Sequence, residues 1–268
     1  MSAASRPIGV FDSGVGGLTV VRALMERLPL EDIVYFGDTA RVPYGVKSVA
    51  TIEHFTAQIT EFLLRRDVKM LIIACNTMAA VAADVVHRLA AGIPVLDVIE
   101  AGARAAVAAS PGRRIGVIGT PTTINSNAYA RRMHELDPAV RVYSQACPLF
   151  VPLVEEGWLD HPVTRLTAQE YLKPVLAENV DTLVLGCTHY PLIKPLLQDV
   201  VGPSVRLVDS AITVAEQAAR MLADLGIANP GDSLSTYCYT VTDIPLRFQT
   251  IGERFLGRSL GTVEKVDW

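Results

Sequence analysis

Two short apolar runs in the sequence each end at a cysteine that is followed by polar residues. The first run, Met70 to Ala74, precedes Cys75, and the second, Thr182 to Gly186, precedes Cys187. Short, continuously hydrophobic runs rich in β-branched residues are typical of strands that are buried on both faces of a parallel sheet. Both thiols are therefore predicted at the carboxyl ends of parallel strands, where open α/β sheets bind small ligands.

Strand-like and helix-like segments alternate along the chain, which predicts an α/β fold with mainly parallel sheets. Strands are predicted at residues 8–12, 32–36, 69–74, 94–97, 114–118, 140–145, 181–186, 204–208 and 237–241. Helices are predicted at residues 18–28, 49–66, 78–90, 121–135, 162–178 and 212–225.

The two halves of the chain resemble each other. The apolar strand that begins at Ile8 ends in a hydroxyl residue before a helix, and so does the strand that begins at Ile115. Nearly the same number of residues separates Ile8 from Cys75 as separates Ile115 from Cys187. This self-similarity predicts two pseudo-symmetric lobes, each a mainly parallel sheet flanked by helices, with the active site in the cleft between them.

No linker rich in serine or glycine marks a border between these lobes. Strand ends run directly into helix starts near residues 96–100 and 207–210, and the chain is expected to cross between lobes there. Residues 1–97 and 208–268 are then predicted to form a discontinuous first lobe, and residues 98–207 the second.

Length and composition limit the class of protein. The chain has 268 residues, half of them hydrophobic, which is enough for two lobes of roughly 100 to 150 residues. Its apolar stretches fall short of the roughly 20 residues of a membrane span, and no signal peptide is recognisable, so a cytoplasmic protein is expected. The net charge of −4, without a basic run, argues against nucleic acid or an anionic membrane as partner and favours a small molecule.

The four cysteines are widely separated and form no Cys-x-x-Cys pair, so neither a disulfide framework nor a zinc site is predicted. Cys147 and Cys238 have bland neighbours and are expected to be unreactive. None of the five lysines lies in a setting that suggests a pyridoxal Schiff base. No metal and no cofactor are predicted.

The loop after the first predicted strand is rich in glycine. Gly14 and Gly16 resemble the start of a dinucleotide fingerprint, but the third glycine position holds Thr19, and no P-loop lysine follows. A nucleotide site is therefore not expected. The loop either lets the backbone approach a ligand carboxylate, with Ser13 as a further donor, or is only a tight turn.

Two further groups belong to this edge of the sheet. Asp12, at the end of the first strand, either caps the following turn or takes part in chemistry as a proton acceptor or ammonium partner. The polar segment of residues 37–45 contains Pro43, Tyr44 and Gly45, and loops at this edge usually build the site. A structural turn is the alternative for this segment.

The residues after each cysteine suit acid/base chemistry. A helix N-terminus is expected to lower the pKa of both thiols, because it places partial positive charge beside the sulfur. Asn76, Thr77 and Thr188 are uncharged donors that can bind a carboxylate, and His189 can relay a proton to Cys187. A covalent hydrolase with Cys187 as nucleophile would leave the Cys75 segment without a function, whereas racemisation uses both thiols.

Four segments together resemble the glutamate racemase family and occur in that family's order. They are VFDSGVGGL at residues 10–18, YFGDTARVPYG at 35–45, ACNT at 74–77 and GCTHYPL at 186–192. The resemblance implies a cofactor-independent isomerase that interconverts L- and D-glutamate and supplies D-glutamate for peptidoglycan. It also implies two α/β lobes around a central cleft, and it suggests a homodimer.

The resemblance assigns roles residue by residue. Cys75 and Cys187 match the two catalytic cysteines, Asp12 and His189 match groups that assist them, and Glu155 matches a further acidic residue near the site. The matching substrate-binding positions are Asp12, Ser13, Pro43, Tyr44, Gly45, Asn76, Thr77, Thr120, Thr188 and His189. A racemase of aspartate or another amino acid, a Cys/His hydrolase and a non-catalytic amino-acid binding protein stay open as alternatives.

Overall fold

A computed structural model describes residues 3–231 and 235–267. Within these ranges the strands are β1 Ile8–Asp12, β2 Ile33–Gly37, β3 Met70–Ile73, β4 Val95–Asp97, β5 Arg114–Gly119, β6 Arg141–Ala146, β7 Thr182–Gly186, β8 Arg206–Asp209, β9 Tyr237–Val241 and β10 Val263–Lys265. The α-helices are α1 Leu18–Arg27, α2 Val49–Arg65, α3 Asn76–Leu89, α4 Val98–Ala109, α5 Pro121–Asn125, α6 Ala128–Leu136, α7 Phe150–Glu155, α8 Pro162–Leu176, α9 Lys194–Val201, α10 Ser210–Asp224 and α11 Pro245–Leu256.

The strands form two parallel sheets that share one order of strands. The first sheet has the order β10-β9-β2-β1-β3-β4 and the second the order β6-β5-β7-β8. Every pairing is parallel. The part β2-β1-β3-β4 is thus repeated as β6-β5-β7-β8, with β3 and β7 in equivalent places. The predicted α/β class, with two parallel sheets flanked by helices, is confirmed.

Two helices pack between the sheets. α4 contacts β4 of the first sheet and β7 and β8 of the second, and α10 contacts β4 and β7. Both follow strands that end in aspartate, and each aspartate caps its helix: Asp97 accepts from the N–H of Ile99 at 2.8 Å and Asp209 from that of Ala211 at 2.9 Å. Such caps stabilise a helix by about 1 kcal/mol. The sheets therefore share one helical layer and one apolar core cluster.

The second predicted border between lobes falls inside a strand. β8 pairs with β7 as far as Asp209, so a border between residues 207 and 208 would cut this strand. β9 and β10 lie in the first sheet. The exact division of the chain into lobes stays a prediction.

The helix predicted over residues 121–135 is wrong as a single element. Asn127 has a left-handed backbone with φ of 56°, which interrupts the helical hydrogen bonds and separates α5 from α6. Tyr129 of α6 reaches the site described below.

Candidate active site

A cavity of about 430 Å³ opens at the carboxyl ends of the central strands. Cys75 and Cys187 both line it. The other predicted site residues that line it are Ser13, Pro43, Tyr44, Gly45, Asn76, Thr77, Thr120, Glu155, Thr188 and His189. Asp12 is absent from the wall and is buried, with an exposed fraction of 1%. Residues from both sheets thus form one concave surface.

Cys75 lies directly before α3, in a setting that favours its protonated form. Its Sγ donates to Ser13 Oγ at 3.5 Å. Burial, and next the negative charge of Asp12, raise the pKa of the Cys75 thiol to about 12, although hydrogen bonds from Ser13 and the N–H of Met78 oppose the rise. The expectation that the helix N-terminus would lower the pKa is therefore wrong for Cys75, since desolvation and a neighbouring carboxylate outweigh the helix.

Asp12 is a buried carboxylate with one oxygen left over. Its Oδ2 accepts from the N–H of Gly14 at 3.0 Å, whereas Oδ1 has no hydrogen-bond partner within the described residues. Burial raises the pKa of Asp12, and the charge of His189 and the N–H of Gly14 oppose this. An unpaired buried oxygen is costly in a purely structural residue, so the geometry favours a role in chemistry over a turn cap alone.

Cys187 lies in the opposite electrostatic setting. His189 Nδ1 is 3.9 Å from Cys187 Sγ, and His189 Nε2 is 2.9 Å from Glu155 Oε1. Burial lowers the pKa of His189, but the interactions with Cys187 and Glu155 outweigh it and raise the value to about 10. The pKa of Glu155 is lowered, because its hydrogen bond to His189 outweighs burial. Near neutral pH, His189 is therefore an imidazolium that donates to a sulfur and to a carboxylate.

Uncharged donors connect the two sheets at the cavity. Thr77 Oγ1, after β3, lies 2.9 Å from Thr120 Oγ1, after β5, and Thr120 Oγ1 lies 3.0 Å from Thr123 Oγ1. Tyr129 OH donates to Asn76 Oδ1 at 2.7 Å, which orients the side-chain amide. Sequence reasoning missed Thr123 and Tyr129. The hydroxyl-rich residues after β5 were a usable signal for Thr123, but no local pattern indicates Tyr129.

Tyr44 is fixed by a buried carboxylate that the predicted site residues did not include. Its OH donates to Asp38, which also accepts from Arg41 Nε at 2.5 Å and from Thr242 Oγ1 at 2.9 Å. Burial and the charge of Asp38 raise the pKa of Tyr44, so the phenol stays protonated. Asp38 therefore orients this wall of the cavity without lining it.

The glycine-rich loop brings the two halves into direct contact. A Cβ at Gly16 would lie 2.2 Å from Thr188 Oγ1 and 2.6 Å from His189 Nδ1, so only glycine fits there. Thr19 Oγ1 also donates to the carbonyl of Thr188 at 3.1 Å. The loop is thus a close contact between the sheets as well as part of the cavity wall.

Comparison with known proteins assigns the chain to a family. The family described as Asp/Glu/hydantoin racemase matches residues 17–218. The chain belongs to this racemase family. The predicted resemblance is confirmed, and members of this family are isomerases.

Similar proteins within the racemase family include a glutamate racemase from Syntrophus aciditrophicus, 70% identical over 260 residues, covering 97% of this chain and 96% of the relative. A glutamate racemase from Neisseria meningitidis is 62% identical over 261 residues, with 97% and 96% of the two chains covered. The crystal structure of glutamate racemase from Francisella tularensis in complex with D-glutamate matches with a TM-score of 0.93 at 46% identity, covering 98% of each chain.

Within residues 3–231 and 235–267, the structure also bears on metal binding and on membrane spanning. No cluster of three or more histidine, cysteine, aspartate or glutamate side chains there could ligate a metal ion. No helix in those ranges has the length and apolarity required to cross a membrane.

Proposed function

We propose that the chain interconverts L- and D-glutamate without a cofactor, with Cys75 and Cys187 as the two acid/base groups, and that it supplies D-glutamate for peptidoglycan. One observation carries the two-base part of this proposal. The two thiols follow equivalent strands of sheets with the same order and line one cavity. Glutamate is the substrate class because close relatives are named glutamate racemases and one related structure contains D-glutamate.

The reaction needs two thiols in opposite protonation states. One sulfur removes the α-proton as a thiolate, and the other delivers a proton to the opposite face of the α-carbon as a thiol. Burial and Asp12 favour the thiol form at Cys75, whereas His189 is an imidazolium that donates toward the Cys187 sulfur. Cys75 is therefore favoured as the protonated partner in the resting protein, and the two thiols exchange roles with each turnover.

The carbanion formed in this way has no electron sink, so positioning and electrostatics must stabilise it. Ser13, Asn76, Thr77 and Thr188 line the cavity and carry uncharged hydroxyl or amide groups. We assign them to the two carboxylates of glutamate. Because these donors are neutral, they bind the substrate without pairing with the catalytic thiolate.

The test is incubation of the purified protein with L-glutamate while optical activity is followed by circular dichroism. We expect the circular dichroism signal to decay to zero, whether the reaction starts from L-glutamate or from D-glutamate. A panel of other enantiopure amino acids, with aspartate first, tests the substrate. Saturable binding without loss of optical activity would indicate a binding protein, and ammonia release from glutamine would indicate a Cys/His hydrolase.

Two further parts of the proposal come from the sequence, the first of them from the family resemblance. The chain is proposed to form a homodimer and to act in the cytoplasm. Light scattering coupled to size-exclusion chromatography tests the first, and cell fractionation tests the second. A monomer at micromolar concentration would remove the dimer from the account and leave the chemistry unchanged.

A further inference from the structure

Two consecutive residues of α11 contact both members of the His189–Glu155 pair. Arg254 Nη1 donates to the carbonyl of Glu155 at 3.0 Å and to that of Val154 at 3.3 Å. The ring of Phe255 packs edge-on against the His189 ring, with centroids 5.0 Å apart and an interplanar angle of 79°. α11 connects β9 to β10 of the first sheet, whereas Glu155 and His189 follow strands of the second sheet. These contacts therefore cross from one sheet to the other.

The C-terminal end of α7 has no cationic side chain of its own, and Arg254 provides one. The last carbonyls of a helix have no partner within it, and a cation nearby is favourable to the helix dipole. α7 has no basic residue in its own last turn. Gly157, just beyond it, has φ of +80°, and a Cβ there would lie 3.0 Å from Arg254 Cζ. The guanidinium is thus packed against the turn and covers the helix end that carries Glu155.

Glu155 is consequently held at both ends. Its carbonyl accepts from Arg254, while its carboxylate binds His189 at 2.9 Å. The His189 ring also packs against Phe255, which is almost fully buried. An imidazole that must move a proton needs a fixed orientation, and the partners that provide it are often as important as the group itself.

We propose that Arg254 and Phe255 are positioning residues that hold the His189–Glu155 pair beside Cys187, supplied by a helix of the opposite sheet. Their effect on turnover rests on the proposed racemase function, whereas their effect on His189 does not. The charged and titratable groups that face this pair are Cys187 after β7, Asp12 at the end of β1 and Arg247 of α11. None of these is altered by changing Arg254 or Phe255.

The test is an NMR titration of full-length protein labelled at its histidines, with His189 assigned through a His189→Gln variant. The chain has five histidines, so the spectrum is simple. In the parent protein, His189 is expected to titrate with a pKa of about 10. Arg254→Ala and Phe255→Leu are each expected to lower that midpoint by about one unit or more, because Glu155 or the ring loses its fixed place. Arg254→Lys keeps a donor for the carbonyls and should restore most of the shift.

The control is Arg258→Ala, which removes the guanidinium that lies over the Tyr237 ring, just beyond the same helix. It should leave the His189 midpoint unchanged. Activity gives a second readout: Arg254→Ala should lower kcat by roughly tenfold and move the alkaline limb of the pH profile with the His189 midpoint, with a smaller change in KM.

An unchanged His189 midpoint in a folded Arg254→Ala variant would overturn the proposal. Arg254 is an exposed residue, so this variant decides the question even if Phe255→Leu fails to fold. If the parent protein lacks racemase activity while the His189 midpoint responds as expected, the proposed function fails and the positioning role stands. If the parent protein is active and the His189 midpoint does not respond, the proposed function stands and the positioning role fails.

Discussion

The two sides of the cavity have the same scaffold and opposite electrostatics. Cys75 follows β3 and Cys187 follows β7, in sheets whose strands repeat one order. Yet Cys75 is next to the buried carboxylate of Asp12, whereas Cys187 is next to the imidazolium of His189. Symmetry of the scaffold can place two thiols on opposite faces of a substrate. The neighbouring residues differ, so the two thiols lie in different electrostatic surroundings.

Removing either thiol leaves only one side of the cavity able to transfer a proton, and it should have the largest effect on activity. Cys75→Ala and Cys187→Ala are each expected to lower net inversion of glutamate by a factor of roughly 1000 or more, since an acid or a base is then missing. Circular dichroism of the glutamate solution measures this. Cys147→Ala serves as the control, because Cys147 is a buried thiol outside the cavity wall. Substantial activity in either site variant would be incompatible with two thiol bases.

Removing the charged neighbour of one thiol should reduce the electrostatic difference between the two sides of the cavity. The expected effect on activity is intermediate. His189→Gln deletes the imidazolium that donates toward Cys187, and we expect kcat to fall by about 100-fold. Asp12→Asn deletes the negative charge that helps to raise the pKa of Cys75, so the pKa of this thiol should fall. The rate of Cys75 alkylation as a function of pH, measured in a Cys187→Ala background, reports the second change. An alkylation midpoint that does not move in Asp12→Asn would show that burial alone sets the pKa.

The raised pKa of His189 predicts how stability depends on pH. The value of about 10 in the folded protein lies above the ordinary 6.5, so the folded state holds a proton that the unfolded state releases between these values. The stabilising contribution is complete below pH 6.5 and is lost as pH rises toward 10. Urea unfolding at pH 6 and at pH 10 measures how much the free energy of unfolding falls between these values. This decrease should be larger by at least about 1 kcal/mol in the parent protein than in His189→Gln. Equal losses in the two proteins would contradict the imidazolium assignment.

The smallest expected effect concerns Tyr129, which contacts Asn76, the residue after Cys75. Tyr129→Phe removes the 2.7 Å hydrogen bond to Asn76 and retains the ring. It should lower the free energy of unfolding by about 1 kcal/mol and raise KM a few-fold, with little change in kcat. Urea titration and steady-state kinetics check the two parts. A change in kcat alone would mean that Asn76 does not bind the substrate.

The sequence predicted the buried strands better than the short peripheral elements and the side-chain contacts around the site. The strands that lead to Cys75 and Cys187 are continuous apolar runs, so their places within a parallel sheet could be predicted directly. β10 is a short, polar edge strand, and α7 is a short helix that contains Pro152, so neither gives a clear periodic signal. Local sequence also could not predict the raised pKa of Cys75, because Asp12 approaches it only in the folded structure.

The same limit applies to the contacts around His189. Arg254 lies about a hundred positions from Glu155 in the chain, and the spacing of neither residue indicates the other. The residues that line the cavity follow strand ends and could be found by their motifs. Tyr129 and Arg254, which contact Asn76 and Glu155, come from helices that belong to the other sheet, and only the fold brings these pairs together.

The central claim is that two thiols act on opposite faces of one α-carbon, and isotope placement in the first turnovers tests it most directly. The protein is incubated with L-glutamate in heavy water, and both enantiomers are separated early in the reaction. The account predicts deuterium at the α-carbon of newly formed D-glutamate and essentially none in the recovered L-glutamate. Equal labelling of both enantiomers, or protium retained in the product, would contradict it.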